Sequence, residues 1–174
     1  MAKQKLIQPP AVKQGVGYKC WAAALESWLA VTPSRMSWTQ EQLLKRRDAY
    51  VQPFDPTLPQ EGSINADVFK LMNRDAGLHL NMLYEEKPKG ADIPDDYFYT
   101  LLFANGYLFV VYTAEATSGV RHANVIWGAG TDGYVNVMDP MRGTYINKVS
   151  DELRTPFLVA WANKEYVDPW AAYP

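Results

Sequence analysis

The sequence predicts an α+β fold in one domain, because patterns typical of helices come first along the chain and patterns typical of strands come later. A helical part is expected over about residues 14–105, and an antiparallel β part over about residues 106–162. With 174 residues, 48% of them hydrophobic, the chain can bury one core but is too short for two full domains. Residues 1–174 are therefore interpreted as a single domain.

The first predicted helix is CWAAALESWLA, which begins at Cys20 and is apolar on almost every side. A helix of this kind is normally buried inside the protein. Glu26 and Ser27 interrupt the apolar pattern, so both need hydrogen-bond partners if the helix is buried. Pro33 ends the helical pattern.

Three more helices are predicted before the strand-rich part of the chain. Their patterns cover residues 37–50, 63–77 and 94–106. Ser37 or Thr39 can cap the first of these helices and Ser63 the second, because a side-chain oxygen at this position accepts a bond from a free backbone N–H group. The proline-rich segment 51–62 is predicted to be a loop.

Strand-like runs, rich in β-branched and aromatic residues, dominate the second part of the chain. A short run at residues 78–84 comes before the last helix. The four later runs cover residues 107–113, 121–127, 134–139 and 157–162. Turn residues separate these runs, which is typical of an antiparallel sheet.

Charge and composition exclude several classes of partner. The 17 basic and 19 acidic residues are scattered and give a net charge of −2, with no basic stripe for nucleic acid. No apolar run reaches the roughly 18 residues of a membrane-spanning helix, and the N-terminus lacks the apolar stretch of a secretory signal. We therefore expect synthesis in a cytoplasm, no membrane insertion, and a specialised route for any export.

Metal and disulfide chemistry have no support in the sequence. The chain contains 1 cysteine and 2 histidines, and they form no close-spaced cluster of ligands. A single cysteine cannot form an internal disulfide, and a structural zinc site needs about four ligands. We predict neither a metal nor a cofactor.

Cys20 can be a packing residue or a reactive thiol. Free cysteines are among the most buried residue types, which favours packing. Gly15 and Gly17, however, form a flexible loop that ends with Cys20 in the first turn of a helix. Free N–H groups and the helix dipole stabilise a thiolate there. Gln14, on the same loop, could donate an amide N–H to an oxyanion beside the Cys20 N–H.

One hairpin can bring a histidine and a carboxylate together. If residues 129–132 form its loop, Trp127 pairs with Tyr134 and His122 lies directly opposite Asp139. Directly opposed side chains have Cβ atoms roughly 5 Å apart on one face of the sheet. The carboxylate would then orient the imidazole, as the third member of a catalytic triad does.

Four short motifs occur in a specific order: Gln14, CWAAA at residues 20–24, HANVIWG at 122–128 and DPMRG at 139–143. Together they resemble the papain-like cysteine peptidase superfamily, and within it the bacterial AvrRpt2-like effector proteases and C39-like peptidases. The resemblance implies a papain-like fold, with a buried cysteine-bearing helix in the helical part and the histidine in the antiparallel β part.

The resemblance also implies a role for each residue of the site. Cys20 would be the nucleophile, His122 the general base and acid, and Asp139 the residue that orients the histidine. Gln14 would donate to the oxyanion. Plant-type members of the superfamily use asparagine as the third residue, so Asp139 argues for the compact bacterial branch.

Two aromatic residues lie close in sequence to these positions. Tyr18 precedes Cys20 by two residues, and Trp127 follows His122 on the same predicted strand. Both are candidates for the walls of a substrate cleft.

The resemblance implies hydrolysis of peptide bonds in a protein or peptide substrate through an acyl-thioester on Cys20. The same residues could instead deamidate or transglutaminate glutamine, or cleave a peptidoglycan amide, because these reactions share that intermediate. A catalytically silent binding module is the alternative outside enzymology. The likeness to effector proteases further implies a bacterial effector or toxin that is exported to a host or competitor cell, with an inhibitor or immunity protein as a second partner.

Overall fold

The computed structural model describes residues 2–32, 37–54, 62, 64–75, 78, 80–83, 94–113, 121–153 and 156–162. Helices α1 to α4 span Cys20–Ala30, Gln40–Phe54, Ala66–Asp75 and Tyr97–Asn105. Strands β1 to β7 span Lys3–Lys5, Leu80–Leu83, Leu108–Thr113, Arg121–Gly130, Tyr134–Asp139, Thr144–Val149 and Pro156–Ala162. A short 3₁₀ helix, Ser150–Leu153, follows β6.

The described strands form one antiparallel sheet in the order β2-β7-β3-β4-β5-β6. β1 pairs with the far end of β4, from Gly128 to Gly130. Because β5 occupies the other edge of β4 there, β1 lies on the same side as β3. The α+β class is confirmed. Two strands, β1 and β2, lie outside the predicted β part, and β6 matches none of the predicted runs.

Helices cover both faces of the sheet. Helix α1 packs on β4 and β3 and also contacts α2, and its Leu25 and Trp28 are fully buried, as predicted for this helix. Helix α4 covers the opposite face. The alternation of side chains along β3 shows the two faces, since Leu108 and Val110 pack with the core under α4 and Phe109 packs with the core under α1. Each large side chain buried in this way stabilises the fold by about 1.5–3 kcal/mol.

Side-chain caps determine where α2 and α3 begin. Thr39 and Gln42 form a capping box, in which Thr39 Oγ1 accepts from the Gln42 N–H at 3.3 Å and Gln42 Oε1 accepts from the Thr39 N–H at 2.9 Å. In α3, Asn65 Oδ1 accepts from the Val68 N–H at 2.8 Å. Thr39 is thus confirmed as a cap. In α3 the capping side chain is Asn65, and Ser63, the predicted cap, lies outside the described residues.

The helices of the described segments are too short or too polar to cross a membrane. The longest of them, α2, has 15 residues.

The turn between β4 and β5 differs from the predicted one. It comprises residues 131–133 instead of residues 129–132. Gly133 has a φ of 76°, the left-handed conformation that ends a three-residue hairpin loop. Strand β4 therefore continues closer to the turn than the sequence indicates, whereas β5 begins at Tyr134 as predicted.

The register of this hairpin is also corrected. Ile126 pairs with Val137 and not with Val135, a shift of two residues. Because side chains alternate between the faces of a strand, a shift of two residues keeps each of them on its own face. His122 and Asp139 therefore become diagonal neighbours on the same face instead of a directly opposed pair.

Candidate active site

Cys20 is the first residue of α1, where the helix leaves the loop that carries Gln14. Its side chain is partly exposed, so solvent can reach the thiol. The preceding residue, Lys19, makes no side-chain cap, but its backbone carbonyl accepts from the N–H groups of Ala22 and Ala23 at 3.1 and 3.2 Å. The N–H group of Cys20 itself lies at the very start of the helix, where no helical carbonyl is placed to accept from it.

His122, on β4, lies between Cys20 and Asp139. Its Nε2 is 2.9 Å from Asp139 Oδ1, and its ring also hydrogen-bonds to the thiol of Cys20. Because the carboxylate engages Nε2, Nδ1 is the nitrogen left to face Cys20. The structure therefore brings together the three residues that the sequence analysis singled out.

Electrostatics keep His122 protonated and Asp139 ionised. Burial alone would lower the pKa of His122, but hydrogen bonds to Asp139 and Cys20, with the charges of both, raise that pKa from 6.5 to about 9. Desolvation would raise the pKa of the Asp139 carboxyl, but the bond to His122, its charge and the Met141 N–H together hold that pKa below its usual value. At neutral pH the pair is an imidazolium next to a carboxylate.

A buried network behind this pair was not identified from the sequence. Tyr112 on β3 pairs across the sheet with His122 and meets its ring edge-on, with the centroids 5.9 Å apart. The Tyr112 hydroxyl donates to Asn124 Oδ1 at 2.7 Å, and Asn124 Nδ2 donates to the Met138 carbonyl at 3.3 Å. Burial and the charge on Asp139 raise the pKa of Tyr112, so its hydroxyl stays a donor. The network joins three strands beside Asp139.

Gln14 connects the loop before α1 to the turn after β5. Its backbone N–H donates to the carbonyl of Pro140, the residue after Asp139, at 2.9 Å. Its side-chain Nε2 donates to the Gly17 carbonyl at 3.2 Å, which leaves the second amide N–H for another acceptor. Its Oε1 is buried and has no hydrogen-bond partner among the described residues.

Of the two candidate cleft residues, Tyr18 is exposed two residues before Cys20, whereas Trp127 lies farther along β4. Tyr18 lies on the loop that leads into α1 and is 50% exposed. Trp127 follows His122 by five residues on β4, about 16 Å along a strand. Its buried ring packs edge-on against Tyr145 on β6, with the centroids 6.0 Å apart. The predicted pairing of Trp127 with Tyr134 is therefore wrong.

Within the segments that the structure covers, no group of three or more His, Cys, Asp or Glu side chains is placed to hold a metal ion. These segments place the imidazole of His122 between the thiol of Cys20 and the carboxylate of Asp139. A histidine that contacts a partly exposed cysteine is the arrangement that activates a thiol as a nucleophile.

A cysteine at the start of a buried helix and a histidine on an antiparallel sheet define the class of papain-like cysteine peptidases. The family model described as papain-like cysteine protease AvrRpt2 matches residues 5–153. The chain belongs to this family, and it is a cysteine peptidase. The prediction of a papain-like fold is confirmed.

A solved structure shows the same fold. It is the peptidase domain of Streptococcus ComA, a bi-functional ABC transporter involved in a quorum-sensing pathway. The TM-score is 0.53 at 13% sequence identity, and the alignment covers 87% of this chain and 97% of that chain. At this level of sequence identity, the similarity shows a shared fold only. No curated protein sequence matches the chain.

The turn after Asp139 packs so closely on the Gln14 loop that glycine is required at position 143. Gly143 has a φ of 64°, and a Cβ added to it would lie 2.7 Å from the Lys13 Cβ. We expect Gly143→Ala to lower the free energy of unfolding by about 1–3 kcal/mol, because the left-handed backbone is strained and the loop must move. Urea denaturation measures this loss.

Gly106→Ala is the matched control for that substitution. Gly106 also has a positive φ, 83°, but nothing lies within 4 Å of an added Cβ. Both variants should lose stability, and Gly143→Ala alone should also lower peptidase activity per folded molecule, because Lys13 adjoins Gln14. Equal activity in the two variants would contradict the close packing of turn and loop.

Proposed function

We propose that this protein is an endopeptidase that cleaves peptide bonds within protein substrates, with Cys20, His122 and Asp139 as its catalytic triad. The observation that carries the proposal is the buried His122–Asp139 contact of 2.9 Å, aligned on a partly exposed thiol in a cysteine protease family. Gln14 and the backbone N–H of Cys20 are the proposed oxyanion donors.

In the acylation step the Cys20 thiolate attacks the carbonyl carbon of the scissile bond, which forms a C–S bond and moves an electron pair onto the oxygen. The Cys20 N–H and the free amide N–H of Gln14 donate to this oxyanion. The C–N bond then breaks, and His122 gives its proton to the leaving amine. Asp139 holds the ring in the orientation and tautomer that this transfer needs.

In the deacylation step a water molecule attacks the thioester carbonyl while neutral His122 accepts its proton. The C–S bond breaks, and the products are a carboxylic acid, the Cys20 thiolate and a protonated His122. The cycle therefore restores the starting ion pair without any further reactant.

Exposed apolar side chains around the site support a polypeptide substrate. Val16 and Tyr18 lie on the loop before Cys20, and Met141 lies on the turn after Asp139. Large apolar residues exposed together beside a reactive group are typical of surfaces that bind apolar side chains of a partner.

The pH dependence follows from the raised pKa of His122. We expect kcat/KM to fall as the pH rises through about 9, because the ring then loses the proton that the leaving amine requires. The histidine also contributes stability that is fully present below pH 6.5 and is lost as the pH rises through about 9. Initial rates and urea melts across this range measure both effects. A stability decline that is unchanged in His122→Ala would contradict the assignment.

Product chemistry separates peptide hydrolysis from the other reactions of an acyl-thioester. We would incubate a bacterial and a eukaryotic cell lysate with wild-type protein or with Cys20→Ala and label new N-termini for mass spectrometry. New N-termini inside proteins, absent with Cys20→Ala, would support the proposal. A gain of about one mass unit at glutamine, glutamine–lysine cross-links, or release of muropeptides from cell walls would replace it with deamidation, transglutamination or peptidoglycan cleavage.

A role in a recipient cell, away from the cell that makes the protein, is also part of the proposal. The motif resemblance to effector proteases supports an effector or toxin that a specialised secretion system delivers to a host or competitor cell, where an inhibitor or immunity protein could restrain it. A fusion to a reporter that is active only inside recipient cells tests delivery. Absence of a reporter signal from recipient cells, while the fusion protein is detected in the producing cells, would contradict the effector role and leave the peptidase chemistry intact.

A further inference from the structure

The side chain of Gln40, at the start of α2, bonds to the two peptide groups that flank Gln14. Gln40 Nε2 donates to the Lys13 carbonyl at 2.9 Å, and Gln40 Oε1 accepts from the Gly15 N–H at 3.2 Å. The Gln40 amide thus makes the pair of hydrogen bonds that a neighbouring β-strand would make to the backbone of residues 13–15. The two bonds also determine which end of the Gln40 amide is nitrogen and which is oxygen.

The backbone of Gln14 is held from the opposite side as well. Its own N–H donates to the Pro140 carbonyl at 2.9 Å. The Lys13 carbonyl and the Gln14 N–H belong to one trans peptide group and point in opposite directions, so Gln40 and Pro140 bind this backbone from two sides. The residue that precedes Pro140 is Asp139, so this second contact relates the position of Gln14 to the catalytic carboxylate.

Gln40 is itself anchored to the helix that carries Cys20. The Gln40 backbone N–H donates to Glu26 Oε2 at 2.6 Å, and Glu26 lies on α1. This bond answers the need of Glu26 for a partner in its largely apolar helix. It also relates the position of the Gln40 amide to the helix whose first N–H group is the other proposed oxyanion donor.

We propose that Gln40 is a positioning residue of the oxyanion hole, which sets the place of Gln14 relative to the Cys20 N–H. The proposal rests on the proposed function, since it requires an acyl-transfer reaction with an oxyanion. Gln40 acts through the backbone of residues 13–15, and its hydrogen bonds within the described segments go to that backbone and to Glu26 instead of to Cys20 or His122. Its loss should therefore weaken stabilisation of the tetrahedral intermediate and leave the reactivity of the thiol unchanged.

The test compares Gln40→Met with Gln42→Met. Both variants replace a glutamine in the first turn of α2 by an apolar residue of similar length that favours helix. Gln42 belongs to the capping box and makes no bond to the Gln14 loop, so Gln42→Met reports the effect of a weakened α2 alone. We expect kcat to fall by about 10- to 100-fold in Gln40→Met, with KM within about threefold of wild type, and to change little in Gln42→Met.

The rate of alkylation by iodoacetamide separates a specific positioning role from a general loosening of the structure, because a loosened structure would also change this rate. The reaction displaces iodide at a tetrahedral carbon and forms no oxyanion, so its rate reports on the Cys20–His122 pair alone. We expect the same rate constant in wild type and in Gln40→Met. A kcat loss accompanied by an equal loss of alkylation rate would overturn the proposal, and so would an equal kcat loss in Gln42→Met.

A double substitution tests whether Gln40 acts through Gln14. If it does, Gln14→Ala combined with Gln40→Met should be no slower than Gln14→Ala by more than about threefold. Multiplicative losses would overturn the proposal. If Gln40→Met fails to fold, Gln40→Glu is tested in its place. Glutamate keeps the acceptor for the Gly15 N–H and removes the donor to the Lys13 carbonyl. The expected loss of kcat is the same.

Failure of the inference and failure of the proposed function give different results. Wild-type protein that cleaves substrates while Gln40→Met keeps full kcat overturns the positioning role alone. Wild-type protein without any acyl-transfer activity, in spite of a reactive thiol, overturns both.

Discussion

Replacing His122 with alanine is expected to lower kcat/KM by on the order of 10⁴-fold, because the Cys20 thiol loses its base and the leaving amine loses its proton donor. Cys20→Ala should be at least as severe, and the double variant should be no worse than the more severe single one, since the two groups act as a unit. The measurement is hydrolysis of a peptide identified from the cleavage products.

The second histidine of the chain provides the matched control. His79 lies outside the described residues and has no part in the proposed mechanism. His79→Ala should therefore retain activity, and circular dichroism should show that all the variants are folded. Activity that survives in His122→Ala would assign the chemistry to another base.

The second large effect is expected at Asp139. Asp139→Ala removes the acceptor that holds Nε2 of His122 and should lower kcat/KM by about 10³-fold. Asp139→Asn should lower kcat/KM far less, by about 10-fold, because of a backbone contact in the turn after β5. The Met141 N–H donates to the same oxygen, Oδ1, at 2.9 Å, so an asparagine would turn its carbonyl oxygen toward that N–H and still accept from His122.

The pH profile of the asparagine variant adds a second measurement. Without the carboxylate charge the pKa of His122 should fall, so the alkaline decline of kcat/KM should move to lower pH. An asparagine variant as inactive as Asp139→Ala would mean that the charge matters more than the orientation. An unchanged alkaline decline would show that Asp139 does not set the protonation of His122.

Local sequence patterns identify most of the helices and strands. The predicted strand at residues 134–139 is β5 without any change of bounds. The strand β1, KQK, was missed because its residues are polar and at best half-buried. The strand β6, TYINKV, was missed because Asn147 and Lys148 interrupt its short run of β-branched and aromatic residues and none of its residues is fully buried. Helix α2 continues to Phe54, beyond the predicted end, although the proline in its last turn has no backbone N–H to donate.

The register of the β4–β5 hairpin could not be derived from these patterns. Near the turn, Ala129 pairs with Val135, and a β-bulge between Ile126 and Gly128 then changes the offset by one residue. Neither a short turn nor a bulge at this place has a strong local signature. His122 and Asp139 nevertheless lie on one face of the sheet, as predicted. The different turn and the β-bulge together shift the strand register by two residues, and an even shift leaves every side chain on its own face.

The residues of the site differ in how far the sequence reveals them. Cys20, His122 and Asp139 lie in short motifs whose order along the chain is specific. Gln40 lies in a helical pattern that indicates only an exposed first turn, and its bonds reach a loop 25 residues earlier. Tyr112 is similar: an aromatic residue in a strand reads as core, and its position against His122 follows from the pairing of β3 with β4.

The central claim is that Cys20 and His122 form a reactive pair, and the rate of iodoacetamide alkylation as a function of pH tests it most directly. The chain has 1 cysteine, so every modification reports on Cys20. We predict fast alkylation of wild-type protein at pH 6 and a large loss of that rate in His122→Ala, because the imidazolium no longer stabilises the thiolate. Slow alkylation at pH 6 in both proteins, rising together at alkaline pH, would contradict the claim and make Cys20 a packing residue.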